Sequence, residues 1–198
     1  MTTNEIRNSI KEKRNKLTLS QIEKWSKSVL KNLLTLDFIK DKTNFFIYNS
    51  IKNEVDTAYL IDYLKVNNKE ISYPLTIGDN MIAVLPTDSE WVLGDFNVKI
   101  PKSYKETNKI DVAIIPLLAC DKNLNRIGYG KGYYDKFLSK TDCIKVGICY
   151  DFQVIESITP NAFDVPLDYI VTPTKIITKW KNLLLFAEDF YLSKIIKN

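Results

Sequence analysis

The stretch DVAIIPLLACDKNLNRIGYGKGYYDKFL, residues 111–138, decides the fold. Residues 111–119 are apolar with almost no break, as in a strand covered on both faces. Gly128, Gly130 and Gly132 then fall on alternate positions, with Lys131 among them, Arg126 in front and Asp135 just behind. A buried strand running into a glycine-rich turn that opens a helix is where α/β folds hold phosphates, since unpaired N–H groups point outward there. Three missing side chains let backbone amides approach an anion closely, as in a nest. Arg126 and Lys131 add full positive charges, each hydrogen bond to a phosphate oxygen contributing roughly 1.5–3 kcal/mol. The spacing G-x-G-x-G is neither the dinucleotide pattern G-x-G-x-x-G nor the Walker pattern, so neither of those families is claimed. On spacing alone, a plain tight turn with a solvated Lys131 stays open as the alternative. Behind the turn, Tyr134, Phe137 and Leu138 share an inward helix face. Asp135 sits near the helix N-terminus, where the dipole favours an acid by about 0.3–1 kcal/mol. It can also hold Mg²⁺, but without a second carboxylate nearby the dipole is the better account.

The same alternation of short apolar runs and helical stretches continues on both sides. Upstream, a cap at Thr3 or Asn4 starts a strongly basic helix whose Ile6, Ile10 and Leu17 share one face. Ser20 with Glu23 reads as a capping box for a second helix, along which Ile22, Trp25, Val29, Leu33 and Leu36 recur at helical spacing. Residues 44–49, 70–74 and 81–86 read as strands, and Ala58 to Val66 as a helix. Downstream, the helix after the glycine turn runs to about Lys140, and residues 143–150 and 167–173 supply two more strands. This pattern predicts an α/β layer structure with a largely parallel sheet. Residues 87–109 are polar, carry Trp91 and Phe96, and hold either a small hairpin or a mobile flap. After Thr174, Trp180, Leu184, Ala187, Tyr191 and Ile195 mark an amphipathic helix, packed on the sheet or on a second subunit, with a membrane surface as the alternative.

At 198 residues, 45% of them hydrophobic and 26% charged, the chain suits one ordinary globular domain rather than a disordered or fibrous protein. The polar, basic start has no apolar stretch of signal-peptide length, and no run of about 18 apolar residues occurs, so a cytoplasmic location is expected. Cys120, Cys143 and Cys149 lie in or beside apolar runs without CxxC spacing and read as buried free thiols. The sequence has no histidine, which excludes Ser-His-Asp and Cys-His nucleophiles, His-ligated metals and imidazole proton transfer. Any metal has to sit on carboxylates, which points to magnesium or a similar hard ion. The net charge of +4 mildly favours anionic partners.

RIGYGKGYYDKFL, preceded by IPLLACDKNLN and followed by VGICYDFQVIESI and DVPLDYIVTP, resembles the 5-formyltetrahydrofolate cyclo-ligase family, also called methenyltetrahydrofolate synthetase. The likeness covers about residues 4–173 in order, including the basic first helix, EVDTAYLIDYL and FNVKIP. It implies a three-layer α/β/α sandwich with a mostly parallel central sheet. A single domain over 1–198 is expected, with a helical extension over about 175–198 that lies outside the likeness. It further implies an ATP- and Mg²⁺-dependent ring closure. In that reaction the formyl oxygen on N5 takes the γ-phosphoryl group of ATP, N10 attacks the activated carbon, and loss of phosphate leaves 5,10-methenyltetrahydrofolate with ADP. Such chemistry suits a site without histidine, because phosphoryl transfer depends chiefly on alignment and charge neutralisation.

By the same resemblance, Arg126, Ile127, Gly128, Tyr129, Gly130, Lys131, Gly132, Tyr133 and Tyr134 form the ATP loop. Thr3, Asn4 and Arg7 of the first helix reach the nucleotide, and Lys131 and Arg126 are the catalytic cations. Tyr129 to Tyr133 also border the folate, together with Asn49, Glu54 and Phe96, the last as an aromatic for the pterin. Asp135 and Asp168 are the metal ligands. Each has a plainer reading: Glu54 as a solvated loop acid, Arg7 as a surface helix charge, Phe96 as ordinary packing, Asp168 as a strand-entry turn residue. Two departures stand out: the family's usual lysine about four residues before the helix arginine is Thr3, and the histidine often found before DVPLD is replaced by Phe163 and Asp164. Two other functions compete. A sugar-phosphate isomerase or CoA-transferase relative would need a base or a nucleophilic glutamate but no ATP. A nucleic-acid-binding module would use the basic helix KEKRNK and the tyrosines, but these are not interleaved. The expected partners are folate and ATP, without nucleic acid or membrane, in a monomer or weak dimer.

Overall fold

The computed structural model describes residues 1–179. The first helix, α1 (Thr3–Asn15), is capped reciprocally: the Thr2 hydroxyl accepts the Glu5 N–H, and the Glu5 carboxylate accepts the Thr2 N–H. The cap lies ahead of the expected Thr3 or Asn4 because Glu5 stands three residues past Thr2, the spacing a capping box requires. A second box, Thr18 with Gln21, starts α2 (Leu19–Leu33) two residues ahead of the expected Ser20 and Glu23. A short helix, α3 (Asp37–Asp41), then leads into β1 (Asn44–Ile47), and α4 (Ala58–Val66) falls where the periodicity placed it.

Next come β2 (Glu70–Ile77) and β3 (Asn80–Pro86), joined by a tight turn at Gly78. β2 runs three residues past its expected end at Pro74. Its pairing with β1 stops at Ser72, so the missing proline N–H interrupts no ladder there. The polar segment that follows is a hairpin of β4 (Trp91–Leu93) and β5 (Lys99–Pro101), with a 3₁₀ turn at Asp95–Asn97. Beyond it β6 (Tyr104–Glu106) joins the edge of β3, an addition the sequence reading lacked.

The long apolar run splits. β7 (Val112–Pro116) is buried in the sheet, and the chain then turns into a small hairpin of β8 (Ala119–Cys120) and β9 (Arg126–Ile127). The glycines follow this hairpin rather than the strand itself. The helix they open, α5 (Tyr133–Leu138), is only six residues long. β10 (Ile144–Ile148), β11 (Tyr169–Val171) and β12 (Ile176–Thr178) complete the described chain. Ile176–Thr178 is therefore an antiparallel edge strand, which corrects the reading of a helix from about residue 175. Trp180, Leu184, Ala187, Tyr191 and Ile195 lie outside the described residues.

Within residues 1–179 the main sheet runs β12-β11-β10-β7-β1-β2-β3-β6, its five central strands parallel and its edges antiparallel. Strand alternation divides the core into two layers. Phe45, Ile47, Val112, Ile114 and Ile148 pack with Val29 and Leu33 of α2 and Leu60 and Leu64 of α4. Phe46, Ala113, Ile115 and Ile170 face the other way, onto Phe137 and Leu138 of α5. The result is the expected α/β/α arrangement. Cys120 and Cys149 are buried free thiols whose sulfurs stand 3.7 Å apart, whereas Cys143 is only half-buried. Among the described residues no helix is long and apolar enough to cross a membrane.

Candidate active site

The glycine loop is held from below before it is free to hold anything. Asp121 is fully buried, and its carboxylate accepts N–H groups from Asn123 (2.9 Å), Asn125 (3.0 Å, and 3.0 Å from its side-chain amide) and Ile158 (2.8 Å). These donors satisfy a charge that would otherwise be too costly to bury. They also pin the turn between β8 and β9. Arg126, on β9, is buried beneath the loop: its Nη1 donates to Asp135 Oδ1 at 2.8 Å and to the Val165 carbonyl at 3.4 Å. The same Asp135 oxygen accepts the Val165 N–H at 3.1 Å. The other guanidinium nitrogen, Nη2, is buried with no hydrogen-bond partner.

Above this support the three glycines differ. Gly130 has φ +101 and Gly132, the cap of α5, has φ +70, both in a region that side chains rarely adopt. Gly128 carries no such demand, and a Cβ built there meets nothing within 4 Å. Arg7 comes across from α1, donating from Nε to the Gly128 carbonyl at 3.0 Å and from Nη1 to Asn4 Oδ1 at 2.7 Å. A Cβ on Gly130 would stand 3.4 Å from the Arg7 guanidinium, so that glycine makes room for the arginine. Lys131 is exposed and has no ion pair among the described residues. The far side of the loop is tied to the β2–β3 turn, where the Tyr133 hydroxyl donates to the Gly78 carbonyl at 3.3 Å and Lys136 Nζ to the Asp79 carbonyl at 3.2 Å. With α5 so short, an anion at the loop would be held by loop amides and side-chain cations more than by a helix dipole.

Tyr129 reaches from the loop to a buried cluster at the end of β1. Its hydroxyl donates to Glu54 and accepts from Arg14 Nη1 at 2.9 Å. Arg14 Nη2 stands 3.6 Å from Glu54, and its Nε donates to the Asn53 carbonyl at 3.2 Å. The other Glu54 oxygen accepts the Ile51 N–H at 3.0 Å. Burial pushes the Glu54 carboxyl above its usual range, an effect that Arg14, the Ile51 amide and Tyr129 partly offset. Burial also pushes the Tyr129 hydroxyl up, and the adjacent Glu54 charge adds to this. For Arg14, burial opposes the charged form, but Tyr129 and Glu54 outweigh it and the guanidinium is held more firmly protonated.

Beside this cluster lies an open groove of about 480 Å³ between the segment after β1 and the β4–β5 hairpin. Asn49 bridges its two walls, donating to the Lys99 carbonyl at 2.7 Å. A sequence profile of the 5-formyltetrahydrofolate cyclo-ligase family matches residues 1–173, spanning the loop, the Glu54 cluster and the groove. The chain belongs to that family. A Schizosaccharomyces pombe protein named as a probable 5-formyltetrahydrofolate cyclo-ligase is 30% identical over 196 residues, covering 88% of this chain and 96% of its own. The Mycoplasma genitalium 5-formyltetrahydrofolate cyclo-ligase is 37% identical over 157 residues, covering 75% and 82%. The solution structure of Aquifex aeolicus 5,10-methenyltetrahydrofolate synthetase superposes with a TM-score of 0.80 at 30% identity, covering 90% of this chain and 93% of that one.

Set against what the cyclo-ligase resemblance led one to expect, Asn4, Arg7 and the glycine loop come together, as do Glu54 and Tyr129. Glu54 is no solvated acid, and Arg7 no idle surface charge. Thr3 is exposed in the first turn of α1, and Phe96 belongs to the 3₁₀ turn of the hairpin. Ile127 is buried against Ile10 and Leu118, and Tyr134 turns into the core beside Phe46, so only their backbones remain for a ligand. Arg126 lies under the loop rather than in it, which makes it a support for Asp135. Asp168 accepts the Lys145 N–H at 2.8 Å at the start of β10, and Asp135, in the first turn of α5, accepts the N–H of Val165, three residues before Asp168. Among the described residues no group of three or more carboxylates, cysteines or histidines gathers at one point. Sequence reading missed Arg14 and Asp121. Arg14 had a signal: it lies four residues after Ile10 and three before Leu17, on the apolar face of the first helix.

Proposed function

We propose that the protein closes 5-formyltetrahydrofolate to 5,10-methenyltetrahydrofolate at the expense of ATP, releasing ADP and phosphate, with Mg²⁺ accompanying the nucleotide. One observation carries this reading: an unpaired lysine, an arginine bonded to the loop carbonyl and two left-handed glycines share a single cup, on a chain of the cyclo-ligase family. The formyl oxygen on N5 attacks the γ-phosphorus and ADP departs. N10 then attacks the formyl carbon and loses its proton while the carbon–oxygen bond breaks and phosphate leaves. No protein nucleophile is needed, so a histidine-free chain can perform both steps.

The loop amides and Arg7 orient the triphosphate, and Lys131 turns to the oxygens that gain charge as the phosphoryl group transfers. Arg126 is a positioning residue that fixes Asp135 and Val165 below the cup. Glu54, held by Arg14 and the Ile51 amide, meets the folate N–H groups once the Tyr129 hydroxyl gives way. A nucleotide-bound Mg²⁺ needs only one or two carboxylates besides phosphates and water. Asp135 fits, since its protein contacts use Oδ1 alone and leave Oδ2 outside them; Asp168, three residues after the Val165 amide that bonds Asp135, is the second carboxylate of the proposal. Mg²⁺ bound there would neutralise charge on the transferring group.

The test is to mix purified protein with 5-formyltetrahydrofolate, Mg²⁺ and ATP and follow the near-ultraviolet absorbance of the methenyl product. An ATP-dependent rise is expected. No rise, or an equal rise without ATP, overturns the proposal.

A further inference from the structure

The groove beside Glu54 has a charge that phosphate binding does not account for. Lys52 and Lys99 both line it, one from the loop after β1 and one from β5. Both are exposed, and neither has an ion pair among the described residues. The acid lining the groove, Asp56, is already occupied: its Oδ1 accepts the Ser50 hydroxyl at 3.2 Å and the Ala58 N–H at 2.9 Å, at the start of α4. The groove thus presents two lysines without ion pairs and one carboxylate engaged by neutral donors, a net positive lining, beside an apolar wall of Ile51, Ile61 and Leu93. Lys52 is held in the left-handed region, at φ 51, by the tight turn that also delivers Glu54. The Asn49 bond to the Lys99 carbonyl locks the two lysine-bearing segments together. An aromatic amide ending in carboxylates matches this lining, with its ring against the aliphatic wall and its anionic end between the lysines.

We infer that this groove is the subsite for the glutamate tail of the folate, and that Lys52 and Lys99 bind the tail carboxylates. The inference rests on the proposed substrate and extends it, since it makes the tail rather than the pterin the source of binding strength at this end of the site. Lengthening the tail with further glutamates adds carboxylates within reach of the same two charges. Both lysines are solvent-exposed, so each contributes modestly and in a salt-dependent way.

The experiment is titration calorimetry of wild type, Lys52→Asn, Lys99→Gln and the double variant, with 5-formyltetrahydrofolate and with 5-formyltetrahydropteroate, which lacks the glutamate. Asparagine is used at position 52 because it tolerates the left-handed backbone. Each single variant should weaken binding of the glutamate-bearing ligand by about three- to tenfold, a range set by exposed charge pairs. Affinities for the pteroate should be alike across the four proteins. Added salt should erode wild-type affinity for the folate more than that of the double variant. Equal losses for both ligands, no loss for either, or wild-type protein that binds neither would overturn the inference. Turnover assays on the same preparations report separately on the reaction: lysine-dependent folate binding without ATP-driven ring closure would sink the proposed function and leave the tail subsite standing.

Discussion

Replacing Gly128 with alanine separates the two reasons a glycine can sit in this loop. At Gly128 the backbone makes no left-handed demand, and the added methyl meets no atom within 4 Å, so folding should be almost indifferent to it. Stability should change by no more than about 0.5 kcal/mol, with a small gain from the stiffer unfolded chain as the direction of any change. Gly130→Ala is the contrast: φ +101 and the Arg7 guanidinium at 3.4 Å should together cost about 1–3 kcal/mol. Nucleotide binding should not follow this ranking. Under the proposed function, the open space over Gly128 is where a phosphate would come within hydrogen-bonding distance of the loop amides, and a methyl group there would hold it off. Loss of one charge-assisted bond, worth about 1.5–3 kcal/mol, corresponds to roughly 10- to 150-fold weaker ATP binding. Denaturant unfolding and calorimetric ATP titration of the two variants measure both quantities. A Gly128→Ala protein that is as stable as wild type and binds ATP as tightly would refute the amide cup.

Lys131→Ala should leave unfolding free energy within about 0.5 kcal/mol of wild type while cutting turnover by about 10²–10³-fold; a large loss of stability in a melt would mean the lysine is structural. Arg126→Met should do the reverse in kind. It strands Asp135 beneath the loop and should cost about 3 kcal/mol in denaturant unfolding, at the low end for a broken buried pair because Asp135 is partly exposed; an unchanged midpoint would refute the supporting role. Tyr129→Phe should show its effect through pH. Glu54 is raised in the folded state chiefly by burial, so the folded protein holds more protons than the unfolded one, and stability falls as pH climbs from about 4.3 through the folded value. Removing the Tyr129 hydroxyl takes away one group that keeps Glu54 ionised and steepens the fall. The gap between variant and wild type should therefore widen with pH over that interval and narrow in acid, and a gap that stays constant from acid to neutral pH would refute this account.

The central sheet was legible because its signal is repeated. Phe45 and Ile47 against Phe46, and Val112 and Ile114 against Ala113 and Ile115, alternate between two buried layers, and runs of that kind have few other uses. The helix Ala58–Val66 was equally plain from its spacing. The β8–β9 hairpin was not, since two-residue strands carry no period and the apolar run through Leu117 and Leu118 reads as more of β7. Of two overlapping capping boxes at the start of α2 the sequence could not say which forms, because both obey one spacing rule. In the site, glycines and cations announced the loop, but not which cation would be buried. Arg126 and Arg14 look like the exposed lysines around them until the fold brings Asp135 and Glu54 beneath them. A charge's partner is a property of tertiary contact, and no local pattern encodes it.

That burial explains the division of labour in the cup. A buried ion pair is weak evidence for stability, because desolvation offsets much of the attraction, but its geometry is hard to change once formed. Arg126–Asp135 fixes the loop to the segment at Val165 and Asp121 fixes the turn that feeds it, while the Tyr129 hydroxyl ties it to Arg14 and Glu54 at the end of β1 until a ligand takes its place on Glu54. The loop is thus tied at both ends and along one side, while Lys131 and the amides between Gly128 and Gly132 stay unengaged. Most of the ordering cost of the cup is met when the protein folds, so under the proposed function an entering triphosphate would have only one long side chain to immobilise, and more of its contact energy would be left for holding the transferring group in line.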